Sequence, residues 1–221
     1  MKAKAVPFTE IIELGKWRAD LHVHADSEIR SEKYRLVKLS DLVIESKLAI
    51  NPNELETGVF YYIGLENVET ITGDPQGISL LTSDQVRSRS KKFELGDILF
   101  GKLRPYLRKA LYVEAPYTKG LCSSEFIVLK VRTEYILPLF LREILVSDSV
   151  TEIVKRFQAG AALPRISSKD LLSVSIPVPS LEFQEECVSK IEYSRRLRSE
   201  LLQKINTLSQ EGQRVISDIF S

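Results

Sequence analysis

Val174-Ser175-Ile176-Pro177-Val178-Pro179-Ser180-Leu181-Glu182-Phe183-Gln184 is where the chain changes character. Pro177 and Pro179 push their predecessors out of the helical region and hold the first half of this stretch extended. Ser180 then supplies an N-cap, since its hydroxyl can accept from a backbone N–H that the first helical turn leaves unpaired. Beyond it no proline occurs and the only glycine is Gly212. Apolar residues fall at Val188, Ile191, Leu201, Ile205, Leu208, Val215 and Ile219. With Ile191, Ile205 and Ile219 at heptad position a, Leu201, Leu208 and Val215 occupy position d. Ser194, Arg198 and Gly212 interrupt the seam. A helix of about 40 residues would be ~60 Å long, too long to cover one small domain. The pattern therefore predicts a long helix, from about Ser180 to Ile219, whose stripe needs a partner. A helical hairpin folded back at the interruptions is the alternative.

Upstream of this switch the chain reads as short strands and turns. Val59-Phe60-Tyr61-Tyr62-Ile63 is a β-rich run closed by Gly64, and Asn51-Pro52-Asn53 marks a turn. The stretch from Ile71 to Gly77 carries Gly73, Asp74, Pro75 and Gly77 and reads as a loop. Phe93-Glu94-Leu95-Gly96-Asp97-Ile98-Leu99-Phe100 reads as a strand approach, a Gly-Asp turn and a buried strand. Leu111-Tyr112-Val113 and Phe126-Ile127-Val128-Leu129-Lys130-Val131 are further strand candidates. From Pro138 to Phe157 the apolar positions fit helical spacing. Ser168-Lys169-Asp170-Leu171-Leu172 reads as a short helical turn after a loop at Gly160. The fold class is thus α+β: a mixed globular domain, residues 34–179, followed by a long coiled-coil-forming helix, 180–221. Residues 1–33 form an N-terminal extension with no role assigned.

Composition narrows the setting. Of 221 residues, 43% are hydrophobic and 28% charged, which suits a globular chain able to bury a core. The two cysteines, Cys122 and Cys187, have no metal-ligand spacing and point to a reducing compartment. No apolar run approaches the ~20 residues of a membrane span. The N-terminal lysines are not followed by the apolar segment of a secretory signal. The expectation is a cytoplasmic protein with no membrane partner.

The formal charge of +1 hides an asymmetry. Between Arg87 and Lys109 stand Arg87, Arg89, Lys91, Lys92, Lys102, Arg104, Arg108 and Lys109, opposed only by Glu94 and Asp97. The window is strongly positive and the rest of the chain negative, an arrangement that aims one face at an anion. Lysines and arginines there suit phosphate, and an arginine fork also suits a guanine edge in the major groove. A merely solvated charge run is the plainer alternative.

Candidate catalytic motifs fail one by one. Asp20-Leu21-His22-Val23-His24 resembles the opening metal motif of the polymerase-and-histidinol-phosphatase family of phosphoesterases. That family needs further histidines, and His22 and His24 are the only two in the chain. Gly101-Lys102 lacks the glycine spacing and following hydroxyl of a phosphate-binding loop. No Gly-x-Ser-x-Gly elbow occurs, and Ser123-Ser124-Glu125 reads better as a strand terminus than as a nucleophile. The expectation is no catalytic residue, no metal and no cofactor.

Four segments carry a family likeness. They are Tyr62-Ile63-Gly64-Leu65-Glu66-Asn67-Val68; Phe93 through Leu107, centred on Gly96-Asp97-Ile98-Leu99-Phe100-Gly101-Lys102-Leu103-Arg104-Pro105-Tyr106-Leu107; Cys122-Ser123-Ser124-Glu125-Phe126-Ile127-Val128-Leu129; and Pro164-Arg165-Ile166-Ser167 continuing through Ile176 to Gln184. In order and spacing the chain resembles a specificity subunit of a type I restriction-modification system, in half-length form. It departs from the family pattern where Val178 separates Pro177 from Pro179. The resemblance implies one target-recognition domain that reads a DNA half-site and one helix that acts as spacer and docking rod. No second Gly-Asp-Ile-Leu-Phe segment occurs.

The resemblance also implies partners: double-stranded DNA, a methyltransferase (modification) subunit and a restriction subunit, to which methylation and cleavage would belong. DNA contacts are expected from Arg87, Arg89, Lys91, Lys92, Lys102, Arg104, Arg108, Lys109 and Arg165. A homodimer is expected through Ile191, Leu201, Ile205, Leu208, Val215 and Ile219. The rivals are a small metal-dependent phosphoesterase or nuclease using Asp20, His22 and His24, a coiled-coil adaptor that binds no DNA, and the same module in another methylation-based defence system.

Overall fold

The structure is a computed structural model and describes residues 29–157, 162–217 and 219–220. Asp20, His22, His24 and Gly160 lie outside the described residues. The chain divides into two compact units, Met1–Pro179 and Ser180–Ser221.

In the first unit the elements run β1 (Leu36–Lys38), α1 (Leu39–Leu42), β2 (Val43–Ser46), β3 (Ala49–Ile50), β4 (Val59–Ile63), β5 (Ser79–Thr82), β6 (Ser90–Glu94), β7 (Ile98–Gly101), β8 (Ala110–Tyr112), β9 (Lys119–Ser123), β10 (Phe126–Val131), α2 (Pro138–Leu145), α3 (Asp148–Phe157), α4 (Ser168–Leu172) and β11 (Ser175–Pro177). A four-stranded antiparallel sheet has the order β2-β10-β7-β8. A five-stranded sheet has the order β3-β6-β9-β4-β5, with β4 and β9 parallel and the other neighbours antiparallel. β1 pairs with β11, Leu36 opposite Pro177, which ties the start of the described chain to the extended segment before Pro179.

Side chains alternate across a strand, so each uninterrupted apolar run faces two ways. Ile98, Phe100, Ile127 and Leu129 enter a core built with Leu141, Leu145, Val150, Ile153, Val154 and Leu171 from the helices. Their neighbours Leu99, Phe126 and Val128 enter a second core with Ile63, Phe93 and Cys122 from the five-stranded sheet. The four-stranded sheet is therefore the middle of three layers, and this is why Ile98–Phe100 of β7 and Phe126–Leu129 of β10 are apolar on both faces.

Two tight turns carry the chain between sheets. At Gly96 (φ 87°) the chain leaves β6 and enters β7. Asp97 Oδ2 accepts from the Glu94 N–H at 2.8 Å, and Lys130 Nζ reaches Glu94 at 2.7 Å and Asp97 at 3.4 Å. The second turn joins β9 to β10, where Ser123 Oγ accepts from the Glu125 N–H at 3.2 Å. Ser123 and Glu125 thus build a strand terminus.

The single helix expected over 138–157 is two helices. Val146 closes α2 with its N–H on the Arg142 carbonyl at 3.3 Å. Ser147 then opens α3: its hydroxyl accepts from the Val150 N–H at 3.3 Å, and its carbonyl receives the Thr151 N–H at 3.0 Å and hydroxyl at 2.7 Å. A serine able to cap competes with helix continuation at that point.

The second unit is one unbroken helix, α5 (Leu181–Ser217), 37 residues or about 55 Å long. Ser180 Oγ accepts from the Phe183 N–H at 3.4 Å, as a cap does. Neither Arg198 nor Gly212 breaks the helix, which excludes the hairpin alternative. Ile219 lies beyond its end, in a turn where its N–H meets the Ile216 carbonyl. Leu201, Ile205, Leu208 and Val215 are exposed, between 50% and 66%, whereas Ile191 is half-buried. Among the described residues no helix is long and apolar enough to cross a membrane.

Candidate nucleic-acid interface

The connection between β7 and β8 carries the densest group of cations. Its backbone is stitched down at both ends. The Gly101 N–H donates to the Lys109 carbonyl at 2.8 Å and the Lys102 N–H to the Glu125 carbonyl at 2.9 Å. Ile166 returns a bond to the Lys102 carbonyl at 3.0 Å, and the Arg104 N–H reaches the Pro164 carbonyl at 2.7 Å. Between these anchors Pro105–Leu107 forms a 3₁₀ turn, against which α3 packs. Both flanking residues are left-handed, Arg104 at φ 48° and Arg108 at φ 54°. Such a conformation costs a non-glycine residue ~1–2 kcal/mol and persists only where the surroundings impose it.

The nine expected DNA-contact residues separate into two groups. Four are engaged within the protein. Arg108 is ion-paired with Asp148 at the start of α3. Lys109 Nζ donates to the Leu65 carbonyl at 2.7 Å. Arg165 forks onto Glu125, with Nε and Nη2 each 3.1 Å from a carboxylate oxygen, and this bonding raises its pKa. Lys91 lies 3.8 Å from Glu45, whose carboxylate also accepts from the Ser168 hydroxyl at 2.7 Å. Burial pushes the Lys91 pKa down against the pull of Glu45, and the nearby positive charges of Lys102 and Arg89 push it down further.

The other five are Arg87, Arg89, Lys92, Lys102 and Arg104. The side chain of none of them forms a hydrogen bond or ion pair with a described residue. All but the half-buried Lys102 are exposed. Their charge is open to an external anion.

Sequence reasoning missed the counter-charges Glu45, Glu125 and Asp148, and it missed Arg142. This arginine is 3% exposed. Its Nε donates to the Ala110 carbonyl at 2.9 Å, Nη2 to the Ile71 carbonyl at 2.6 Å, and Nη1 pairs with Glu143. It pins the loop after Val68 to β8. Gly73 (φ 66°) makes this possible: a Cβ there would lie 2.2 Å from Arg142 Nη2. The available signal was an arginine set among the apolar positions Leu139, Leu141 and Leu145. Among the described residues no cluster of His, Cys, Asp or Glu could hold a metal ion.

The comparisons with known proteins identify the family. The family model described as the type I restriction modification DNA specificity domain matches residues 31–209. The specificity subunit of the type I restriction enzyme EcoDI from Escherichia coli is 27% identical over 158 residues, 67% of this chain and 34% of the relative. The HindI specificity subunit of Haemophilus influenzae is 24% identical over 166 residues, 73% of this chain and 33% of the relative. Among solved structures, the HsdS subunit from Thermoanaerobacter tengcongensis superposes with a TM-score of 0.64 at 25% identity, over 76% of this chain and 45% of that one. A chain from a structure of complex assembly and conformational transition in the type I restriction-modification system gives 0.65 at 26% identity, over 77% of this chain and 46% of its own. This chain thus spans about a third of the curated relatives. The matched region takes in both the β-rich unit and most of the long helix, and on that match the chain belongs to the type I restriction-modification DNA specificity domain family.

Proposed function

We propose that this chain is the sequence-recognition component of a type I restriction-modification complex and carries no catalytic residue of its own. The observation that carries this reading is the specificity-domain match over residues 31–209. The five open cations support it, because phosphate binding requires positive charge that the protein has not already neutralised. Residues 34–179 form the target-recognition domain and 180–221 the spacer helix. The partners are double-stranded DNA, a modification subunit and a restriction subunit, in the cytoplasm, with no cofactor held by this chain.

Two copies pair through α5. The exposed row Leu201, Ile205, Leu208 and Val215 supports this, since an apolar row on a helix face in water favours association. A two-fold pair presents identical readers in opposite directions, so its site is an interrupted palindrome whose gap the helix sets.

Selection of bound duplexes from a random pool tests the reading, with an enriched gapped palindrome as the expected result. Replacing Arg87, Arg89, Lys102 and Arg104 together by alanine should weaken binding to every duplex and flatten its salt dependence by up to about one unit per lost phosphate contact. Wild-type binding by that variant would remove the interface. Light scattering should give a dimer, and Leu201→Asp with Ile205→Asp should halve its mass. A divalent-metal titration with phosphoester hydrolysis would instead favour the phosphoesterase alternative.

A further inference from the structure

β5 and β6 are consecutive in the chain but not in the sheet, where β4 and β9 lie between them. The connection Ser83–Arg89 must therefore cross two strands, and it does so on a pinned backbone. The Ser83 N–H donates to the Gly58 carbonyl at 3.0 Å. The Thr82 N–H donates to Gln85 Oε1 at 2.9 Å, closing a 3₁₀ turn over Ser83–Gln85. Val86 is buried as an anchor. The Ser90 hydroxyl donates to the Ser88 carbonyl at 3.0 Å.

The side chains on this fixed track are exposed and chemically mixed. Asp84, Gln85, Arg87 and Arg89 all face solvent. Asp84 is an acceptor whose pKa the Thr82 hydroxyl holds below the usual carboxylate value. Gln85 bonds through its oxygen and keeps its amide N–H groups available, and neither arginine fork is hydrogen-bonded, although Arg89 helps to lower the pKa of Glu54. The Lys102–Arg108 loop offers cationic donors and Tyr106 but no exposed acid or amide.

Base edges in the major groove present both donors and acceptors, whereas phosphate oxygens only accept. A mixed set on a rigid backbone fits the first, and a predominantly cationic, donating set fits the second. We infer that the β5–β6 crossover reads base edges, with Arg87 and Arg89 as specificity-determining residues, while Lys102 and Arg104 grip the phosphate backbone. Arg89 and Lys102 both add positive charge around Lys91. This inference rests on the proposed role in DNA recognition.

Arginine-to-lysine substitution separates the two tasks, because it keeps the charge and removes the fork. In random-pool selection and competition binding, Arg87→Lys or Arg89→Lys should lower discrimination at one position of each half-site by roughly one to two orders of magnitude. Affinity for unrelated duplex, the salt slope and the thermal midpoint should stay at wild-type values. Lys102→Gln should do the reverse, weakening all duplexes equally with the preferred sequence unchanged. If both arginine variants select the wild-type site with wild-type discrimination, the crossover does not read bases, although the chain still recognises DNA. If the wild-type chain selects no sequence, the proposed function itself fails and this assignment falls with it.

Discussion

Arg104 and Arg165 stand opposite ends of one β-bridge, through Leu103, and each is next to a proline. Arg165 is neutralised by Glu125, forty residues away in sequence, while Arg104 has no counter-charge among the described residues. Nothing local distinguishes them. The same holds for Arg142, whose buried guanidinium serves two backbone carbonyls and Glu143. Arg142→Met should destabilise the chain by about 3–5 kcal/mol, because the change leaves buried acceptors unpaired. Urea unfolding monitored at the single tryptophan-independent signal of far-UV circular dichroism would show it; a shift under about 1 kcal/mol would mean that water replaces the guanidinium. Cys122 offers a second residue-scale test. Burial pushes its thiol from 9.0 up to about 12. Between those values the unfolded chain gives up a proton that the folded chain retains, so this thiol's contribution to stability falls as pH rises. Wild type should therefore lose more stability between pH 8 and pH 10.5 than Cys122→Ala, compared by urea midpoints. Under native conditions a thiol reagent should leave Cys122 unmodified while it reacts with the half-buried Cys187.

At the scale of elements, β7 and β10 were legible because an uninterrupted apolar run fits a strand covered on both faces. The break between α2 and α3 was also written in the sequence. Ser147-Asp148 is an N-cap followed by an acid in the first turn, a start signal inside a run whose apolar spacing continued across it. Ser147→Ala should cost ~1 kcal/mol in a denaturation experiment by removing the bond to the Val150 N–H. An unchanged midpoint would show that Thr151 alone defines the start of α3. The continuity of α5 was readable from the lack of proline after Pro179, since one glycine costs only ~1 kcal/mol in a helix interior. Gly212→Ala, with open space around the added methyl, should accordingly raise the helix melting temperature if the position lies outside the pairing seam. A lowered one, together with loss of the dimer in light scattering, would place Gly212 at a close helix–helix contact.

At the scale of the whole molecule, both hydrophobic cores belong to the first unit. A chain ending at Pro179 should therefore unfold cooperatively, be monomeric, and select an ungapped half-site where the full chain selects a gapped palindrome. If the shortened chain still selected the gapped site, a surface other than α5 would join the readers. The sequence by itself determined the α+β class, the strand runs, the change to helix at Ser180 and the local excess of positive charge. Each follows from periodicity, turn chemistry and capping, which act over a few residues. Only the tertiary structure decided which cations remain open. Glu45, Glu125 and Asp148 reach Lys91, Arg165 and Arg108 across 40 or more residues of chain. An ion pair depends on distance in space, and that distance exists only after the sheets have stacked and the loops have been drawn onto them.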